Sequence, residues 1–181
     1  MRILKVPLLK KGITFNEVPD KMAVYFELGD CGQGCKGCHS PELQNKCTEF
    51  VDSNDMIRFA VDQIDAGANA IVVLGGTTAR SLTSADMVSL LQDLALIAPV
   101  CLYSGSDNDV LDKQIASLGN CTWLKTGSYQ EAKGGLQSRT TNQRFYTIQQ
   151  MYRVDRQDNL VDIENEFIDE TYKFWKNGRD E

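Results

Sequence analysis

The chain has 181 residues, of which 42% are hydrophobic and 24% charged, with a net charge of −6; this suits one globular domain with its own core and excludes disordered and collagen-like classes. A net negative chain lacks the basic footprint of a general nucleic-acid binder, and no apolar run approaches the length of a membrane span. The opening MRILKVPLLKKG is interrupted by Lys5 and Pro7 and does not read as a signal peptide, so the expected setting is cytoplasmic, where the six cysteines are thiols or metal ligands rather than disulfides.

In chain order, the β-branched and aromatic run Ala23-Val-Tyr-Phe-Glu-Leu28 reads as a strand ending at Gly29. It feeds Cys31-Gly-Gln-Gly-Cys35-Lys-Gly-Cys38-His39, a glycine-rich loop with three cysteines at C-x3-C-x2-C spacing. Ser53 is placed to cap a helix over about 55–64 with Ile57, Ala60, Val61 and Ile64 on one face. Ala70-Ile-Val-Val-Leu74 is unbroken and apolar, as a strand buried on both faces would be, and Gly75-Gly76 follows it. Thr83 or Ser84 caps a second helix carrying Met87, Leu90, Leu91 and Leu94, which Pro99 stops. Val100-Cys-Leu-Tyr103 is a third strand, ending at Ser104-Gly105. Asp107 starts a third helix with Val110, Leu111, Ile115 and Leu118, and Thr122-Trp-Leu-Lys-Thr126 is a fourth strand closed by Gly127.

Alternating strands and helices with short loops predict parallel βαβ units, an α/β fold. Ligands of such folds bind at the carboxyl ends of the strands. The cysteine loop, Gly75-Gly76, Ser104-Gly105 and Gly127 would meet at that edge. Beyond Gly127 the pattern changes. A strand is expected over 143–154, a turn over 156–159 and a return over 160–163. An amphipathic helix over 164–176 would carry Phe167, Ile168, Thr171, Tyr172 and Trp175 on a broad stripe. From Gln150 onward nine acidic and five basic residues leave a balance of −4. That is the pattern of a solvated surface, or of a docking face for a basic partner.

Three thiolates in one short loop can hold three corners of a cubane iron–sulfur cluster and leave the fourth iron open to a ligand. Gly32, Gly34 and Gly37 let the backbone pass close to the sulfides. A structural zinc site from Cys31, Cys35 and Cys38 with His39 or Cys47 is the alternative, although no second C-x2-C or H-x3-H is present. A redox C-x2-C would leave Cys31 unexplained. On spacing the cluster stands ahead of zinc. Cys101 reads as a small core hydrophobe, and Cys47 and Cys121 lie near predicted loops.

The loop resembles the signature of the radical S-adenosylmethionine (SAM) superfamily. Gly37-Cys-His-Ser-Pro-Glu-Leu43, Leu124-Lys-Thr-Gly-Ser-Tyr129, Gly134-Gly-Leu136 and Thr140-Thr-Asn-Gln-Arg-Phe-Tyr146 make the chain similar to one branch, the activating proteins of anaerobic (class III) ribonucleotide reductase. The resemblance covers roughly residues 14–148. It implies a shortened, open (partial) β/α barrel, with a radical SAM domain over 1–149 and a C-terminal extension over 150–181 packed on it. It further implies a [4Fe–4S] cluster held by Cys31, Cys35 and Cys38, with SAM chelated to the open iron. Reductive cleavage of SAM would give methionine and a 5′-deoxyadenosyl radical that takes hydrogen from a glycine of the reductase.

By the same matching His39 lies near the adenine. Gly75 and Gly76 meet the SAM amino group through backbone carbonyls. Ser104 and Gly105 wall the methionine or ribose, and Lys125 and Asn142 are weaker candidates for which a structural role is expected. The family follows its glycine pair with an acidic residue and proline; here Thr77 and Thr78 stand instead, which makes Thr77 a candidate SAM contact. The implied partners are the large catalytic subunit of the anaerobic reductase and a reduced flavodoxin- or ferredoxin-like electron donor, with no nucleic acid and no membrane. The segment over about 40–54 and the C-terminal region are expected to flank the opening that admits the large subunit. Other small radical SAM enzymes, a pyruvate formate-lyase activase or a deazapurine synthase, remain alternatives, as does a non-catalytic zinc module.

Overall fold

The computed structural model describes residues 2–32 and 49–175. Cys35, Cys38, His39 and Cys47 lie outside the described residues. The chain runs β1 (Lys5–Val6), β2 (Leu8–Thr14), β3 (Ala23–Leu28), β4 (Val51–Asp52), α1 (Ser53–Asp65), β5 (Ala70–Leu74), α2 (Ser84–Ala95), β6 (Val100–Tyr103), α3 (Asp109–Leu118), β7 (Trp123–Thr126), β8 (Arg144–Val154) and β9 (Leu160–Asp169), closing in a 3-10 turn over Thr171–Phe174. β1 and β4 form a small antiparallel pair. The other seven strands form one mixed sheet in the order β2-β3-β5-β6-β7-β8-β9. Its centre, β3-β5-β6-β7, is parallel, and β2 at one edge and β8-β9 at the other are antiparallel. No helix among the described residues is long and apolar enough to cross a membrane.

The parallel strands follow one another in space as in sequence, and their crossovers bring all three helices to one face. Val24, Phe26, Leu28, Ile71, Val73, Val100, Leu102 and Leu124 pack there against Met56 and Ala60 of α1, the α2 residues Met87, Leu90, Leu91 and Leu94, and Ile115 and Ala116 of α3. A fully buried aliphatic side chain in such a layer is worth about 1.5–3 kcal/mol. The alternate strand residues Ala23, Ala70, Val72, Leu74 and Cys101 form a second core on the opposite face with Val18, Leu136 and Phe145. Segments without helix close that face. Tyr103 Oη donates to the backbone carbonyl of Glu17, and Phe145 stacks edge-on against Phe174 at 5.0 Å.

All four predicted βαβ strands form, and Thr83 caps α2 in a reciprocal box with Asp86. The caps of the other helices differ from expectation. Asp52 holds the N-cap position of α1, and Ser53 is turned inward, its Oγ accepting the Leu4 N–H at 3.0 Å. Asn108, not Asp107, caps α3. The helix faces are also rotated. Val61, Val110 and Leu118 are exposed, while Met56 and Asp112 are buried in their stead.

The amphipathic helix expected over 164–176 is instead the strand β9 and the 3-10 turn. β8 presents an open edge, and β9 pairs along it from Tyr146↔Asp169 to Val154↔Leu160. That ladder satisfies backbone groups on both strands and overrides a helical stripe no stronger than the alternation it shares its residues with. The long β8–β9 ribbon passes through residue 150 without a break. Its far half carries exposed apolar side chains, among them Tyr152 and Ile163, which face each other across the strands.

Candidate functional site

The carboxyl ends of β3, β5, β6 and β7 lie side by side, and the turns leaving them are tied together by side chains. Residues 30–32, the start of the cysteine loop, run against residues 78–80. Gly32 N–H donates to the Thr78 carbonyl at 2.8 Å, Arg80 N–H donates to the Asp30 carbonyl at 3.0 Å, and Cys31 and Ala79 form an antiparallel bridge. Arg80 Nη1 adds an ion pair to the buried Asp30 carboxylate at 3.0 Å. Cys31 is half-buried, with its Sγ 2.8 Å from Thr78 Oγ1.

The glycine pair shapes the next turn. Gly75 and Gly76 have φ of +87° and +86°, values that side-chain-bearing residues adopt only with strain. Space is equally restrictive. A Cβ on Gly75 would lie 2.8 Å from the Leu28 carbonyl oxygen, and one on Gly76 would lie 2.6 Å from Met87 Cε. The Gly76 carbonyl accepts from Ala79 N–H at 3.1 Å, closing the turn. At Gly105 the reverse holds, and an added Cβ would meet no atom within 4 Å.

Thr77 Oγ1 lies 2.7 Å from Ser104 Oγ, which donates to Asp112 Oδ1 at 2.9 Å and accepts from Ser106 N–H at 3.1 Å. Ser104 is buried, and so is Asp112, in the first turn of α3. Burial raises the Asp112 carboxyl to about 6; the Ser104 hydrogen bond opposes the shift, Asp109 adds to it, Lys125 counters it and Asp107 contributes a little more. Lys125 Nζ donates to the carbonyls of Ser104 and Gly127, each at 3.1 Å. Asp107 holds the β7 turn by accepting from Ser128 N–H and Oγ–H, both at 2.8 Å; the Ser128 backbone bond is the chief reason its carboxyl is lowered. Asn142 Nδ2 and Gln143 Nε2 donate to the Ser128 and Gly127 carbonyls at 3.0 and 3.2 Å.

The structure therefore places Cys31, Gly75, Gly76, Thr77, Ser104 and Gly105 on one edge of one sheet. Cys35, Cys38 and His39 are outside the described residues. Among the described residues no three His, Cys, Asp or Glu side chains are grouped to hold a metal ion. The sequence reading missed Asp112, Asp30 and Arg80. Asp112 was hidden because the apolar stripe of α3 was drawn through Val110 and Leu118; a polar residue one position after Leu111 and three before Ile115 is the only trace of the rotated face. Cys101 and Cys121 are buried on strand β6 and after α3; desolvation raises both thiols, that of Cys121 to about 12, so they suit core packing rather than nucleophilic or ligand chemistry.

No family model, curated protein or solved structure matches the chain.

Proposed function

We propose that this protein is a radical SAM activase that makes a glycyl radical on the large subunit of an anaerobic ribonucleotide reductase. The observation that carries this reading is the attachment of Cys31. The first cysteine of the C-x3-C-x2-C loop leaves the carboxyl end of a parallel strand and is joined to the turn after Gly75-Gly76 through Thr78. That is the edge at which parallel α/β sheets take their ligands. The sequential order of β3, β5, β6 and β7, with helices on one face, is the arrangement from which a partial, open β/α barrel is built, and we assign the fold to that type.

In this reading Cys31, Cys35 and Cys38 hold a [4Fe–4S] cluster. The donor set suits it: three thiolates within eight residues of sequence, with the Thr78 hydroxyl beside one of them as a hydrogen-bond donor that moderates the charge on sulfur. Held by Cys31, Cys35 and Cys38, the cluster would supply the electron for reductive cleavage of SAM, drawn in turn from a reduced flavodoxin- or ferredoxin-like protein. The balance is one electron and one SAM in, with methionine, 5′-deoxyadenosine and a glycine-centred radical on the partner out. The partner glycine gives up one hydrogen atom, which ends on the 5′ carbon.

The chain's own part is positional. Gly75 and Gly76 permit the left-handed turn and its close approach to Leu28 and Met87, and the backbone contact with SAM is assigned to this turn. Thr77 and Gly105 wall the space beside them, with open room on the Cβ side of Gly105 and Ser104 buried behind Thr77. Lys125 keeps the Ser104 and Gly127 turns at fixed separation. His39 is assigned to the adenine.

The test is anaerobic reconstitution with iron and sulfide, reduction, addition of SAM, and measurement of methionine and 5′-deoxyadenosine. Product formation that is abolished in Cys35→Ala is the expected result. Bound zinc with no cluster and no SAM cleavage would overturn the assignment and leave a structural metal module.

A further inference from the structure

The β8–β9 ribbon leaves the body of the sheet at the end opposite the cysteine loop. β8 meets β7 only from Arg144 to Thr147, and Thr147 lies opposite Trp123, the first residue of β7. Ile148 still holds the body, its N–H donating to the Thr122 carbonyl at 2.7 Å. From Gln149 to Val154 the ribbon runs past the amino end of β7, and among the described residues β9 is its only strand partner there. Six extended residues project by roughly 20 Å.

Directly opposed residues of an antiparallel pair share a face, which sorts the ribbon into two unlike surfaces. Tyr146, Ile148 and Phe167 pack on the helix-side core. Gln150, Tyr152 and Val154, with their partners Asn165, Ile163 and Leu160, continue that face. The Tyr152 hydroxyl donates along it to Gln150 Oε1 at 2.8 Å. None of these six residues is charged, and Tyr152, Val154, Leu160 and Ile163 are 64%, 52%, 56% and 46% exposed. α3 covers the near half, where Lys113 lies over the Tyr146 and Phe167 rings, and leaves the far half bare. A two-stranded ribbon without a covering layer is marginal in water. The reverse face carries Arg153 against Asp162, Glu164 and Glu166, one positive and three negative charges for a balance of −2.

Charge selects what covers the bare face. A two-fold axis sets a surface against itself, so a net charge on that surface is repelled by its own copy. The far helix-side face is free of charge and the reverse face is not. Pairing of two β9 edges would bring the same three carboxylates together, and the bulge beside Val154 breaks the line of that edge. A basic partner would be drawn to the reverse face and gains nothing from an uncharged one. Space agrees, since a second ribbon stacked about 10 Å away lies level with the helix layer and continues it.

We propose that the far helix-side face of the β8–β9 ribbon is a two-fold contact with a second copy of this chain. The contact lies at the amino end of the sheet, so both carboxyl edges stay open in the pair. It covers about 500 Å² of each copy, the small end of specific interfaces, and the pair is in exchange with single chains at a dissociation constant on the order of 10 μM. The inference does not rest on the SAM reading.

The test is sedimentation equilibrium of the full chain between about 1 and 200 μM, a range that brackets the expected constant. The parent mass is expected to rise from one chain toward two. Tyr152→Glu and Tyr152→Lys should each weaken association at least tenfold, and an equimolar mixture of the two should associate again. Met151→Lys places the same charge on the reverse face, at a residue 47% exposed, and should leave the constant within about twofold of the parent. Circular dichroism checks that the variants keep the parent fold. A parent that stays a single chain throughout, a pair indifferent to both Tyr152 variants, or one weakened equally by Met151→Lys overturns the inference. Single-chain behaviour with binding of the reductase large subunit lost in Tyr152→Glu also overturns it and gives the face to that partner instead.

Discussion

Gly75→Ala separates the geometric demands of the glycine turn from any general tolerance of loops. The φ of +87° places an added Cβ in the left-handed region, which costs about 1–2 kcal/mol. The same Cβ lies 2.8 Å from the Leu28 carbonyl oxygen. That oxygen belongs to the last residue of β3, whose Cα is in register with Leu8 of β2, so it has little freedom to withdraw; relieving such an overlap costs about 1–3 kcal/mol. The sum is about 2–5 kcal/mol. With a urea m-value of about 2 kcal/mol/M for a chain of this size, the unfolding midpoint should fall by roughly 1–2.5 M. Gly105→Ala is the internal control, because its Cβ meets nothing within 4 Å; its stability should stay within about 0.5 kcal/mol of the parent. Urea titrations followed by circular dichroism read both. A Gly75→Ala midpoint within about 0.3 M of the parent, or a Gly105→Ala midpoint that falls equally far, would show that the turn is not constrained as described.

Three further outcomes are expected. The Asp112 carboxyl is held at about 6 in the fold against an ordinary 3.8, so the folded state binds that proton more tightly; its contribution is fully present below about pH 4 and is lost as pH rises through 6, for a total of about 3 kcal/mol. Asp112→Leu should remove this fall and be the more stable protein at pH 7, and parallel urea-midpoint profiles for parent and variant between pH 4 and 7 would refute the assignment. Under native conditions iodoacetamide should modify Cys31 while sparing Cys101 and Cys121, which are 0% and 6% exposed, until urea unfolds the chain; peptide mass spectrometry reads this, and labelling of Cys101 at the rate of Cys31 contradicts its burial. Phe145→Ala, at a ring 1% exposed and stacked on Phe174 at 5.0 Å, should lose about 3–5 kcal/mol, whereas Tyr152→Ala, 64% exposed on the ribbon, should stay within about 0.5 kcal/mol; comparable losses for the two would mean that the ribbon is part of the core.

The parallel centre of the sheet was legible because its signals are local. Continuous apolar runs at Ala70–Leu74 and Val100–Tyr103, bounded by glycine turns, have few other solutions. The edges were not legible for the complementary reason. Leu8–Thr14 is a strand because β3 offers it a partner, and the residues after 160 extend because β8 does; neither fact is present in the segment itself. Helix faces failed at the level of a single residue, since Val110 and Leu118 are as apolar as Leu111 and Ile115 and only packing chooses between them. At the site, the sequence located Gly75, Gly76, Thr77, Ser104 and Gly105 on one edge through strand order alone. It could not supply Asp112, whose role depends on a hydroxyl eight residues earlier and on a helix rotated from its apparent stripe.

The two cores also differ in the distance along the chain that each must gather. The helix-side core is stitched between successive neighbours, so a nascent polypeptide adds to it one unit at a time as it emerges. The opposite face waits for Val18, Leu136 and Phe174 to be brought together, a span of nearly the whole molecule. Contacts of such long range form late. That face of the half-built sheet therefore stays open to solvent during most of synthesis, until Phe174 closes on Phe145.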